Sequence, residues 1–253
     1  LGEAVSKIED RLSRLASKGV LDNPSQKELM HQLSPTHELS QLGNVDMVIE
    51  AASEKEGIKH KIFENLLPHL ADHTILASNT SSISITRLAA RTDRPERFMG
   101  VHFMNPVPVM TLVELIRGIA TSTETFERSR AFVEKLGKVH TVSEDFPAFI
   151  VNRILIPMIN EAAYVLYEGV GDVKSIDGSM RLGANHPMGP LELADFIGLD
   201  TCVAIMKVLY EGLADTKYRP CPLLIKYVEA GWVGRKSGRG FYDYGGEQPI
   251  PTR

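Results

Sequence analysis

Cysteine is scarce: Cys202 and Cys221 are the only two in 253 residues. Their spacing matches no metal-ligand pattern, and two thiols do not make the disulfide framework of a small secreted scaffold. The expected setting is reducing and intracellular: the cytoplasm, or the mitochondrial matrix in a eukaryote. Long apolar runs are missing too. None approaches the ~18 residues that span a bilayer, so no membrane segment is expected. Neither sign of charge dominates. With 28 Lys and Arg against 32 Asp and Glu the net charge is −4. That argues against a general nucleic-acid or anionic-membrane binder, while leaving room for a local basic patch on an anionic ligand. No internal repeat, low-complexity stretch or signal peptide is visible, and there is no initiating Met. The chain opens in mid-helix with no strand before it.

What is present is an alternation. A hydrophobic content of 43% suffices for a sizeable core, in one large domain or two ordinary ones. Leu1, Val5, Ile8, Leu12 and Leu15 follow helical spacing up to a stop at Lys18-Gly19. DNPSQKELMHQLSPTHELSQ, from Asp22, reads as loop and short pieces. Strands are then predicted over 45–52, 73–82, 97–103, 110–116 and 138–144, with helices over 55–70, 84–92 and 122–137. Buried apolar strands alternating with helices predict a mostly parallel α/β sheet covered on both faces. Beyond Phe146 only helices follow: 149–169 with a kink at Pro157, 173–183, one from Pro190 breaking near Gly198, and 221–231. The expected domains are therefore 1–145, built on the sheet, and 146–253, all helical.

In an open α/β sheet, ligands bind at the carboxyl ends of the strands. Three polar clusters fall there: Glu54 after VDMVIEA, Asn79-Thr80-Ser81-Ser82 after TILAS, and His102 with Asn105 in FMGVHFMN. Each has an ordinary reading. A lone His is more often structural or exposed than catalytic. A Ser in such a turn is usually a helix cap, and Glu54 suits a helix N-terminus. Glu114 is harder to place, because an acid inside the apolar strand MTLVELI is costly to bury unless paired. A histidine partner would satisfy it and would also orient an imidazole. Asn152, among Phe149, Ile150, Val151 and Ile154, needs partners as well; a helix-packing hydrogen bond is its plain reading. Taken together, a His held by a carboxylate makes a general base near neutral pH. Ser and Asn can hold a hydroxyl or carbonyl oxygen, and this type of sheet suits a dinucleotide. Alcohol oxidation is the reaction these parts outline.

The motifs VIEAASE, ILASNTSSISIT, GVHFMNPVPVMTLVELI, PAFIVNRILIPMINEA, LGANHPMGPLELADFIGLDT and GWVGRKSGRGFYDY, in that order, resemble the L-3-hydroxyacyl-coenzyme A dehydrogenase family. The resemblance runs from about residue 1 to 244, and ANHPMGPLELADFIGLD and KYRP look most like its bacterial short-chain branch, the 3-hydroxybutyryl-CoA dehydrogenases. It implies a Rossmann-like domain that binds NAD, followed by an all-helical domain for substrate and dimerisation. The implied reaction is reversible oxidation of (3S)-3-hydroxyacyl-CoA to 3-oxoacyl-CoA by a homodimer joined through its C-terminal helices. No metal is implied. His102 would be the general base, Glu114 would orient its imidazole, Ser81 would hold the reacting oxygen, and Asn152 would help fix the acyl group. Glu54 and Lys59 would contact the cofactor ribose region, Asn79 would line the cofactor cleft, and Asn105 and Lys236 would lie on the nicotinamide side. Lys18 matches a position associated with the coenzyme A phosphates.

The sequence also departs from the family. The family opens with a strand and a G-x-G-x-x-G turn whose helix N-terminus holds the pyrophosphate. Neither is found here, so the first βαβ part is expected to be missing from this chain. Met104 and Ala148 stand where an aromatic residue and Gly are usual. Two other readings remain: a non-catalytic acyl-CoA-binding or structural relative, and another β-hydroxyacid dehydrogenase, which usually places a Lys where Asn152 stands.

Overall fold

The structure, a computed structural model, describes residues 1–19 and 22–253. It falls into two units, Leu1–Asp46 with Ile62–Thr74, and Met47–Lys61 with Ile75–Arg253. In the first, helical spacing produces α1 (Gly2–Ser17), which buries none of its residues. A second helix, α2 (Asn23–His31), occupies part of the segment expected as loop. Its start has a local cause. The Asp22 carboxylate accepts from Ser25 N at 2.7 Å, and Pro24 supplies a pre-set φ in the first turn. The unit is tied together by the Thr74 hydroxyl donating to the Val45 carbonyl at 2.7 Å and by Ala71 N donating to Gly43 O at 3.1 Å.

The second unit holds a five-stranded sheet: β1 (Met47–Glu50), β2 (Ile75–Ser78), β3 (Phe98–Phe103), β4 (Leu112–Arg117) and β5 (Val139–Glu144), in that spatial order. β1, β2 and β3 run parallel, β4 runs antiparallel to β3, and β5 is parallel to β4. The sheet is thus mostly parallel, with one reversal. A parallel crossover needs a dozen or more residues, and only residues 104–111 join β3 to β4. The helices α3 (Glu56–Leu66), α4 (Ile85–Ala89) and α5 (Thr123–Lys135) fill the other connections.

Strand alternation assigns the faces. Ala77, Met99, Val101, Val113 and Leu115 pack with Phe126, Phe132 and Val133 of α5. Gly100, His102, Glu114 and Ile116 therefore point to the opposite face. A methyl on Gly100 would lie 2.8 Å from Ile116 Cβ and 3.0 Å from Ile85 Cδ1, so this glycine lets α4 come close beside the histidine strand.

After β5 the chain is helical: α6 (Val151–Tyr167), α7 (Val173–Gly183), α8 (Pro190–Ile197), α9 (Leu199–Leu213) and α10 (Pro222–Glu229). The expected domain boundary near 145 lies in the connection from β5 to α6, inside this second unit. Gly198, at φ +104°, separates α8 from α9 where a break was expected. Pro157 lies within α6, which continues through it. A short hairpin, β6 (Tyr242–Asp243) and β7 (Ile250–Pro251), was not expected.

Two buried acids join this hairpin region to the helices. Asp177 accepts from Leu191 N, Glu192 N and the Tyr242 hydroxyl at 2.8, 3.0 and 2.7 Å. Asp195 accepts from Phe241 N, Tyr242 N and the Tyr244 hydroxyl at 2.9, 2.8 and 3.0 Å. A methyl on Gly240 would lie 1.9 Å from Asp195 Oδ1, so the second glycine of GRGF makes room for a carboxylate. Burial pushes the Asp195 carboxyl up to about 6 despite those donors. Among the described residues, no helix is long and apolar enough to cross a membrane.

Candidate active site

The carboxyl ends of β1, β2 and β3 share one edge because those strands are parallel. β1 ends in Glu50, which is buried. Its Oε2 accepts from Lys59 Nζ at 2.6 Å and from the Ser78 hydroxyl at 2.7 Å, and its Oε1 accepts from Ala52 N at 2.7 Å. A buried ion pair is tolerable only when its remaining hydrogen-bonding capacity is met, and here Glu50 is fully engaged. Lys59 was expected to touch a cofactor ribose. It is 2% exposed and braces Glu50 from inside, with Glu54 Oε2 at 3.8 Å as its other carboxylate neighbour.

Glu54 stands just beyond the strand. Its Oε1 accepts from the Thr80 hydroxyl, Ser81 N, Ser82 N and the Ser82 hydroxyl. The same turn is bounded on its far side by Asp145, which accepts from the Ser84 hydroxyl, Ile85 N and Thr86 N and so caps α4. Neither Glu50 nor Asp145 was singled out from sequence. Asn79 receives a structural task too: its Oδ1 accepts from Phe103 N at 2.8 Å, fixing the end of β3 against the end of β2.

These supports converge on a relay of three side chains. Ser81 Oγ lies 2.9 Å from His102 Nε2, and His102 Nδ1 lies 2.8 Å from Glu114 Oε2. His102 and Glu114 are 5% and 0% exposed. Glu114 Oε1 accepts from Ile150 N at 3.1 Å and Val151 N at 3.0 Å. Burial pushes the Glu114 carboxyl up, but the His102 hydrogen bond and those two N–H groups outweigh it and hold its pKa below the usual carboxylate value. The ionised acid accepts a hydrogen bond from Nδ1–H, a tautomer that leaves the Nε2 lone pair facing the Ser81 hydroxyl.

The segment that reaches Glu114 is strained. Ala148 and Phe149 have φ of +61° and +56°, a left-handed conformation that non-glycine residues rarely adopt. This double turn presents Ile150 N and Val151 N to Glu114 and lays the Phe149 ring 5.9 Å from that of His102. Backbone strain held in place by buried groups is a common mark of a working site. Asn152 follows in the same first turn of α6. It is half-buried, and no hydrogen bond to its side chain is found among the described residues.

Of the other expected residues, Asn105 and Lys236 make no hydrogen bond to the relay side chains among the described residues. Asn105 is exposed in the β3–β4 connection, which Lys138 Nζ holds by donating to Val107 O and Met110 O at 2.7 and 2.8 Å. Lys236 is exposed and pairs with Asp200 at 2.7 Å, among the C-terminal helices. Lys18 belongs to the first unit, where it lines a groove of about 480 Å³ with Lys7, Asp10, Arg11 and Arg14.

Comparison with known proteins places the chain in a family. Residues 1–146 match the sequence profile of the 3-hydroxyacyl-CoA dehydrogenase NAD binding domain, and residues 149–244 that of the 3-hydroxyacyl-CoA dehydrogenase C-terminal domain. The chain is 64% identical over 253 residues to a 3-hydroxybutyryl-CoA dehydrogenase of Bradyrhizobium diazoefficiens, covering 100% of this chain and 86% of that protein. With a 3-hydroxybutyryl-CoA dehydrogenase of Clostridioides difficile it shares 45% identity over 244 residues, 96% of this chain and 87% of that protein. The crystal structure of (S)-3-hydroxybutyryl-CoA dehydrogenase from Ralstonia eutropha matches with a TM-score of 0.95 at 48% identity, over 97% of this chain and 87% of that one. Both profiles, and relatives aligned across nearly the whole chain, lead to one conclusion: this chain belongs to the 3-hydroxyacyl-CoA dehydrogenase family.

Proposed function

We propose that this chain oxidises the 3-hydroxyl of (3S)-3-hydroxyacyl-CoA, with 3-hydroxybutyryl-CoA as the favoured substrate, reversibly and with His102 as the general base. The observation that carries the reading is the unbroken Ser81–His102–Glu114 relay at the carboxyl edge of the sheet.

The residues at that edge fit the sugar and nicotinamide half of NAD. Among the described residues Glu54 Oε2 accepts no hydrogen bond, and Lys59 Nζ, 3.8 Å away, is its ion-pair neighbour. Ser53 Oγ is buried without a partner among the described residues. Among the described residues Asn79 engages its side-chain oxygen alone, and Asn105 is exposed beside the strand end. Glu54, Asn79 and Asn105 would hold the cofactor there, with Lys59 steadying Glu54 from beneath; Lys236 is the outlying member of this set. Bound NAD supplies the acceptor for the hydride that leaves C3.

The protein's own part is proton handling and orientation. His102 Nε2 takes the 3-hydroxyl proton, and in the reverse direction returns it. Ser81 sits within hydrogen-bond reach of the same nitrogen and donates to the reacting oxygen as its charge grows. Glu114, already ionised, stabilises the imidazolium without moving. The Phe149 ring covers the imidazole and keeps water from it. Asn152 offers its unengaged amide to the acyl carbonyl from α6. In the first unit, Lys7, Arg11, Arg14 and Lys18 give a cationic groove suited to the coenzyme A phosphates.

A homodimer through the C-terminal helices belongs to the same proposal. It is supported by an apolar groove of about 430 Å³ lined by Met158, Ala162, Val165, Val170, Ile176 and Met180, a face that a second copy would cover. A cytoplasmic setting is supported by two free, buried cysteines. The deciding experiment is a steady-state assay of 3-hydroxybutyryl-CoA with NAD, followed as NADH formation. Turnover is expected; no turnover by a folded protein that binds NADH would overturn the reading.

A further inference from the structure

We propose that Glu54 is a positioning residue that sets the place of Ser81, and that it does so through one carboxylate oxygen while the other faces the cofactor edge. The inference rests on the dehydrogenase reading above for its kinetic consequence, though not for its geometry.

Four donors converge on Glu54 Oε1: the Thr80 hydroxyl at 2.6 Å, Ser81 N at 2.8 Å, Ser82 N at 3.0 Å and the Ser82 hydroxyl at 3.0 Å. The turn has internal bonds of its own, since the Thr80 hydroxyl accepts from Ser82 N at 3.3 Å and Ile83 N at 2.9 Å. That hydroxyl is itself aimed by Glu54, so the carboxylate lies at the root of both sets. Among the described residues the Ser81 side chain has one hydrogen bond, to His102. Its hydroxyl therefore goes where its backbone is held, and Glu54, 27 residues earlier in the chain, holds that backbone.

Glu54 is anchored in turn. Lys59 Nζ lies 3.8 Å from its Oε2 and 2.6 Å from Glu50, whose Oε2 also takes the Ser78 hydroxyl at 2.7 Å. A solvent-facing carboxylate with four fixed donors on one oxygen and a buried ammonium near the other has little freedom left. An acid that only met a cofactor sugar would not need four partners on its inward oxygen.

The test is a double-mutant cycle on the whole enzyme, with Glu54→Ala, Ser81→Ala and the pair. Glu54→Ala should lower kcat at saturating substrates on the order of 10²-fold, as a misplacement of about 1 Å does. Glu54→Gln should recover most of it, because an amide oxygen accepts the same four bonds. In the Ser81→Ala background Glu54→Ala should leave kcat within about twofold, the scatter of such cycles. NADH affinity, read by fluorescence titration, separates the cofactor side: a contact through Oε2 weakens it equally in both backgrounds.

Independent, multiplying losses in kcat would overturn the proposal, as would a Glu54→Ala enzyme that loses only NADH affinity. Should Glu54→Ala not fold, Glu54→Asp, one methylene short, carries the same comparison. The imidazole nitrogen resonances of His102 give a readout without turnover: they should move in Glu54→Ala and return in Glu54→Gln. A protein with no dehydrogenase activity would sink the functional reading while this spectroscopic result still decided the role of Glu54.

Discussion

His102 and Glu114 face each other at matched positions of the antiparallel β3–β4 register, with Nδ1 and Oε2 2.8 Å apart. The sheet's one reversal thus creates the pair. A parallel neighbour would need a crossover too long for the residues available between the two strands. The imidazole receives its orientation from the strand beside it, and that strand's acid is fixed in turn by the start of α6.

Replacing the base should remove chemistry and leave binding. His102→Gln is expected to lower kcat by about 10²–10⁴ with little change in KM, the usual worth of general base catalysis. Steady-state kinetics with 3-hydroxybutyryl-CoA checks this; an unchanged kcat would take His102 out of the mechanism.

Glu114→Gln keeps an oxygen for Ile150 N and Val151 N but removes the charge beside the imidazole. Lower kcat is expected, and the acid limb of the pH–rate profile should move to lower pH, because an imidazolium without its anion forms less readily. The wild-type carboxyl is held below its ordinary pKa. Its contribution to stability is therefore complete above that ordinary value and is lost as pH falls through the lowered one. An unmoved pH profile would count against the pairing.

Ala148 tests the strained turn. Its φ of +61° admits Gly or Ala, and a β-branched residue there is a strong outlier. Ala148→Val should cost about 2–3 kcal/mol in denaturant unfolding. It should also lower kcat, as Phe149 and the two N–H groups shift. Ala148→Gly should keep activity close to wild type.

Asp195 predicts a pH trend of opposite sign to that of Glu114. Its carboxyl rises from an ordinary 3.8 to about 6 on folding, so the folded state binds its proton more tightly. Stability from this group should fall as pH rises from about 4 to about 6, then level off. About two units at roughly 1.4 kcal/mol each sets an upper size near 3 kcal/mol. Urea unfolding across that range, in the wild type against Asp195→Asn, should show the slope only in the wild type.

The site was legible wherever a residue broke its local pattern. Glu114 inside MTLVELI and His102 at the end of an apolar strand are out of place by composition, and that signal led to the relay. Other polar residues hid because their partners lie far along the chain. Glu50 reads as the last letter of a strand, and its link to Ser78 spans 28 residues. Asp145 reads as loop, yet it caps a helix 60 residues earlier. Asp195 sits in an apolar helix, and only Gly240, 45 positions on and too close to its carboxylate to carry a side chain, hints at it. The second helix was missed for a smaller reason: its Asp22 and Pro24 start signal lies in a stretch expected as loop and short pieces. The reversal at β4 was readable in principle from the brevity of the connection before it.

Glu114 divides its two oxygens, one for the imidazole of the sheet and one for the backbone of α6. That helix is 17 residues long, a rod of roughly 25 Å. Near its far end it lines the apolar groove beside Met158, Ala162 and Val165. One continuous helix thus carries both the backbone donors that hold the buried acid and part of the wall of that groove.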